Sequence, residues 1–110
     1  MGSGIRRGRR VADIDGTWAL EVATLAGSRR FDLTVTTEGT TLTGTAVGST
    51  GPVPLRHGTA VGDTAEFVLD LAAPLPMSLV FELRVIGDRV TGTAQSGPFP
   101  PSSVLGTRTG

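Results

Sequence analysis

The heptapeptide LTGTAVG at residues 42–48 returns at 90–96 as VTGTAQS, and a chain of 110 residues that writes one pattern twice has few folds open to it. Laying Gly44 on Gly92 takes a shift of 48 residues. The same shift lays Gly39 on Gly87, Thr45 on Thr93, Ala46 on Ala94, Gly58 on Gly106 and Thr59 on Thr107. Upstream, WALEV at 18–22 lies over FVLDL at 67–71 with the offset one larger. The chain therefore reads as two copies of a unit of roughly 48 residues.

Each copy reads as four strands. Period-two alternation is clear throughout, and Thr, Val, Leu and Phe dominate the runs. It predicts strands near 16–24, 29–37, 41–48, 53–61, 64–72, 77–86, 89–96 and 103–109. No segment carries a 3.6-residue apolar stripe with caps, and 16 Gly and 7 Pro interrupt the chain too often for long helices. The expected fold is all-β: an eight-stranded antiparallel up-and-down β-barrel built from two four-strand repeats, since closure removes the edge strands. Residues 13–110 make this one domain, preceded by a flexible basic arm over residues 1–12.

The links between strands sort into two kinds. EGT at 38–40, VGD at 61–63 and IGDR at 86–89 are tight, with Gly beside an acid to supply positive φ. TLAGSRR, GSTGPVP, AAPLP and SGPFPPSS are longer. In a meander the two kinds fall at opposite ends, so a ligand would enter at the loop-rich end. The inward stripes read Trp18, Leu20 and Val22; Phe31, Leu33 and Val35; Leu42, Gly44 and Ala46; Phe67, Leu69 and Leu71; Met77, Leu79, Phe81 and Leu83; Val90, Gly92 and Ala94. Each TGTA turns small residues inward. Either they leave room for a ligand, or they relieve crowding in a barrel just wide enough for its own side chains.

Composition excludes several classes of function. The first ten residues hold four Arg and no acid, while the remainder holds six Arg against ten acids. An acidic body offers no basic face to continue the arm, which argues against nucleic acid. No apolar run is long enough for a membrane-spanning helix, and no signal-peptide pattern is present. Cys is absent, in keeping with a cytoplasmic location, and with one His and scattered acids no metal site is expected.

DGTW at 15–18 resembles the Gly-x-Trp opening of the calycin barrels, the lipocalins and streptavidin-like proteins. The Arg of GTR at 106–108 stands where such barrels often carry an Arg packed over that Trp. The resemblance implies structural roles for Trp18 and Arg108, closing the base of the barrel through a cation–π contact. In size, Arg-rich composition and barrel pattern the chain also resembles the small β-barrel pericyclases of actinobacterial polyketide pathways, which catalyse (4+2) and (6+4) cycloadditions. That second likeness rests on no diagnostic motif and transfers no catalytic residue.

Conventional catalytic constellations are missing. His57, in PLRHGT, shares the alternation of Leu55 and falls on a predicted inward slot. It is either a wall or solvent-facing His, or a hydrogen-bond donor or proton shuttle for a ligand. Asp13 and Asp15 read as a turn; Glu66, Asp70 and Glu82 read as an outer face. Val68, Val80 and Ile86, also outward, offer a face for a homodimer. Three functions follow. The first is a cofactor-free cyclase that folds an apolar polyene for pericyclic closure, where proximity and orientation supply the rate. The second is a carrier of an apolar small molecule, and the third a filled barrel that binds only protein. For the first two, the expected substrate-binding residues are Leu33, Leu71, Met77, Leu79 and Phe81. Phe99, with Leu75 and Pro76, would cover the mouth.

Overall fold

The computed structural model describes residues 14–24, 27–49, 51–72 and 76–110. The expected arm, Asp13 and Leu75 lie outside these residues. Among the described residues alternating Thr, Val, Leu and Phe give nine strands: β1 (Gly16–Thr24), β2 (Gly27–Glu38), β3 (Thr41–Gly48), β4 (Gly51–Pro54), β5 (Arg56–Val61), β6 (Thr64–Leu71), β7 (Met77–Ile86), β8 (Arg89–Gln95) and β9 (Ser102–Arg108). Among the described residues there is no helix, and so none long and apolar enough to cross a membrane.

Strands neighbouring in the chain pair antiparallel, except that β4 and β5 both pair with β3 and not with each other, and β9 pairs with β1 from Ser103↔Ala23 to Arg108↔Trp18, closing the sheet. β4 and β5 together form the fourth stave, so the molecule is a closed eight-stranded up-and-down barrel. The three tight hairpins place Gly39, Gly62 and Gly87 at φ of 64°, 60° and 63°, the left-handed geometry that only Gly adopts without cost.

One predicted strand is corrected. The segment 53–61 is not continuous: β4 ends at Pro54 and β5 begins at Arg56. Pro52 and Pro54 bring no N–H to the ladder with β3, so that ladder is thin from the start. Leu55 holds on through its amide, which donates to the Gly44 carbonyl at 3.0 Å. Beyond it, β5 meets β3 at the single register pair Thr41↔Thr59. Between Arg56↔Val68 and Thr59↔Glu66, residues 57 and 58 face one residue of β6, a β-bulge.

The core is apolar throughout, with no polar or charged side chain buried among the described residues. The inward stripes of β1, β2, β6 and β7 supply Trp18, Phe31, Leu33, Phe67, Leu69 and Phe81, and Ile14, Ala60, Ala65, Val85 and Val104 join them. Phe67 and Phe81 stack at 4.8 Å, and Phe31 meets Phe81 edge-on at 6.4 Å, so three rings occupy the middle of the barrel.

The Gly residues of the two TGTA segments sit where strands touch. A Cβ on Gly44 would overlap the Thr34 carbonyl oxygen and lie 2.9 Å from the Val35 Cα; on Gly92 it would overlap the Glu82 oxygen and lie 2.9 Å from the Leu83 Cα. Next to them, Ala46 pairs with Leu33 and Ala94 with Phe81, small against large. Of the two readings of TGTA, crowding holds. These residues leave no chamber; they let neighbouring backbones approach while bulky groups fill the space.

At the tight end the guanidinium of Arg108 lies 4.3 Å from the centre of the Trp18 ring. Its Nη1 donates to the Asp15 carbonyl at 2.7 Å and its Nε to Asp88 Oδ1 at 3.0 Å. The indole Nε1 of Trp18 donates to the Ile14 carbonyl at 2.7 Å, and Asp15 accepts from the Thr37 hydroxyl at 2.8 Å. Asp15 thus anchors a turn rather than offering a free carboxylate.

Candidate functional site

The residues expected to line a lumen separate into three places. Leu33 and Phe81 have no exposed surface at all, so no water-sized void adjoins them. They belong to the closed middle of the barrel. Leu71, Met77 and Leu79 come together at the loop-rich end, where Leu71 pairs with Met77 and Leu69 with Leu79 across β6 and β7. Leu71 is buried, whereas Met77 and Leu79 are half-buried against the core. Phe99 stands apart on the β8–β9 link, 67 % exposed, with its carbonyl accepting from Gln95 Nε2 at 3.2 Å. Pro76 is likewise exposed, and neither residue is part of the buried core.

Two side chains that sequence reasoning left out complete the group. Val53 and Leu55 are half-buried apolar residues packed on the same core. They stand on the fourth stave, and β4 in turn contacts β6. The result is an apolar ledge of Val53, Leu55, Leu71, Met77 and Leu79 on one wall of the mouth. One step below the ledge the barrel is closed on the opposite wall as well, where Phe31 and Ala94 are buried at the level of Phe81. The alternation of PVPL carried the signal for Val53 and Leu55, masked by the flanking prolines.

The inward slot read for His57, on the face of Leu55, is corrected, and of its two readings the solvent-facing one holds: the residue is exposed and takes φ of 55°. The bulge inserts one residue after Arg56, which breaks the alternation, and His is among the residues that tolerate left-handed backbone. An exposed ring outside the barrel is no donor to a ligand held at the mouth.

Beside His57 lies a surface network on β5, β6 and β7. Arg56 grips Asp70 in a fork, Nε to Oδ2 at 2.6 Å and Nη2 to Oδ1 at 2.9 Å, and the Ser78 hydroxyl donates to Oδ1 at 2.6 Å. Hydrogen bonds from Arg56 and then Ser78, with the charges of Arg56 and His57 adding, hold the Asp70 carboxyl well below the usual carboxylate range. Ser78 is spent on a carboxylate rather than facing a base, so the trio is a brace across three strands and not a nucleophile.

The sign of its pH dependence follows from that depression. Asp70 binds its proton less readily when folded, so its stabilising effect is complete above the ordinary carboxylate range and is lost as pH falls below it. Both partners are half-exposed, so the effect is small and weakened by salt. Between about pH 5 and pH 2.5, Asp70→Asn should lose less melting temperature than the parent chain, as followed by circular dichroism. An equal loss in both proteins would remove Asp70 from the acid response.

Outside the barrel, a groove of about 620 Å³ runs along β1, β9 and β8. Ile86 and Leu105, 61 % and 64 % exposed, form its apolar sides, with Glu21, Arg30 and Arg89 at its margins. The face proposed for a homodimer divides here. Val68 and Val80 are register partners, but Ile86 is six residues further along β7, about 20 Å away, and belongs to the groove. Comparison with family models, curated proteins and solved structures returned no significant match.

Proposed function

We propose that this calycin-like barrel binds an apolar small molecule at its open end, on the ledge of Val53, Leu55, Leu71, Met77 and Leu79. The supporting observation is that half-buried apolar side chains packed on the core occur at this end and on one wall of it. Toward the middle of the barrel the inward residues are sealed. A flexible polyene laid on the ledge would be confined on one side by the floor of aromatic rings and released on the other to solvent. A cofactor-free pericyclic closure, (4+2) or (6+4), is the reaction that the second resemblance implies, and this ledge is where it would proceed. Such closure needs a folded chain and excluded water, with no acid or base. The sealed middle of the barrel could host neither reaction nor cargo without being unpacked.

A neutral polyene reports on the ledge directly. The methyl ester of cis-parinaric acid should gain fluorescence on binding, and the double variant Met77→Gln/Leu79→Gln should weaken it about tenfold, near the cost of hydrating two apolar contacts. The folded state should persist, because both side chains are already part-exposed. Incubation with a polyene-containing extract then separates the two uses of the site. An isomer of unchanged mass marks a cyclase, and a compound retained intact marks a carrier. If neither the ester nor any extract component binds, the ledge reading is overturned and the filled barrel is left to bind protein on its outer groove.

A further inference from the structure

The inward stripe of β2 reads Arg29, Phe31, Leu33 and Val35, three buried apolar residues and then, at the open end, a guanidinium. Arg29 is half-buried and lies 5.9 Å from the centre of the Phe31 ring. Its register partner across β1 is Val22, which offers no counter-charge. Among the described residues the ion pairs go elsewhere: Asp63 to Arg84, Asp70 to Arg56 and Asp88 to Arg108. Arg30, next along the strand, faces Glu21 in register without forming an ion pair.

These two arginines line a cavity of about 320 Å³ together with Ser28, Phe31 and Ser49. Its polar walls are donors, guanidinium N–H groups and serine hydroxyls, and no carboxylate contributes to it. Its apolar wall is Phe31, whose edge meets Phe81 at 6.4 Å. Two residues up from Phe81 on β7 stands Leu79, and two up from Phe31 on β2 stands Arg29. Both steps rise about 7 Å toward the open end, so the donor cavity and the apolar ledge stand over one aromatic floor.

We propose that the cavity binds the anionic head of an amphiphile, a carboxylate, whose apolar chain lies across the floor onto the ledge. This rests on the ledge reading and gives it a ligand class: a long-chain acid rather than a neutral hydrocarbon. A planar carboxylate matches the guanidinium fork and can take a second bond from a serine hydroxyl. The charge also gives the mouth a polarity that apolar contact lacks, fixing which end of the guest points where.

Parinaric acid and its methyl ester differ only in that charge. With the acid kept below its micellar concentration, it should bind at least tenfold tighter than the ester. Arg29→Gln should erase the difference by weakening the acid alone, and Arg29→Lys, which keeps a charge without the fork, should retain part of it. Raised salt should weaken the acid and leave the ester unchanged. If acid and ester bind equally and Arg29→Gln changes neither, the anion site is overturned while the ledge stands. If neither probe binds, the ledge falls and this proposal with it. Unchanged melting of both Arg29 variants would show that a lost preference for the acid is not lost fold.

Discussion

Gly92→Ala should be among the most destabilising single changes in the barrel, although it adds one methyl group. The methyl would be driven into the carbonyl oxygen of Glu82 and to within 2.9 Å of the Leu83 Cα, both backbone atoms of β7. A flexible side chain could step aside, but a paired strand cannot without parting from its neighbours, since Leu83 and Gly92 are register partners. Overpacking of this kind costs about 3 kcal/mol or more, against a total stability of about 5–15 kcal/mol for a domain of this size. The midpoint of thermal unfolding should drop by about 15 °C. Gly44→Ala should behave alike, because its Cβ would meet Thr34 and Val35 in the same way. The contrast is Gly62→Ala, in a turn where nothing lies within 4 Å, which should cost only the left-handed backbone, about 1 kcal/mol. If Gly92→Ala melted within a few degrees of the parent, close strand approach would not be what the repeated TGTA serves.

The other large effect belongs to Trp18, which has no exposed surface and closes the barrel opposite the mouth. Trp18→Ala removes the ring that Arg108 covers and leaves a void beneath it, at a cost of about 3–5 kcal/mol. Trp18→Phe keeps apolar contact but strands the Ile14 carbonyl that the indole satisfies, and should cost about 1–2 kcal/mol. Arg108→Lys tests the other partner. It preserves charge but cannot keep the planar stack together with the bonds to Asp15 and Asp88, and should cost about 1–2 kcal/mol. Circular dichroism melts of the three variants give the order directly. Equal stability of Arg108→Lys and parent would show that charge alone matters at this end.

Alternation and turn chemistry make the barrel legible in the sequence. Strands β1 to β3 and β6 to β9 lie within two residues of their expected bounds because alternation marks their apolar faces and, for β2, β3, β6, β7 and β8, a Gly-bearing hairpin marks one end. The fourth stave was misjudged for a local reason. Proline and a bulge act on hydrogen bonds rather than on hydropathy, and the pattern of apolar letters does not register an inserted residue. His57 was misplaced by the same insertion. The expected lining residues were the right stripes read at the wrong height. Hydropathy says which face of a strand is inside, but not where along the axis packing ends and solvent begins. That boundary depends on the contacts among Phe31, Phe67 and Phe81, which join β2 to the consecutive strands β6 and β7 far along the chain. Arg29 went unnoticed because a charge at a strand end looks like a boundary marker.

The divided fourth stave has a mechanical meaning. A closed barrel resists a change of girth because every ladder must slip together. Here the ring is interrupted where β5 touches β3 at one register pair and prolines thin the ladder of β4. Circumferential tension therefore concentrates along that line, as in a hoop with one loose joint. The joint lies beside Val53 and Leu55, so the rim could expand around guests of different thickness while the base stayed clamped by Trp18 and Arg108. Stiffness at one end and give at the other is a property of the hoop, independent of which guest it holds.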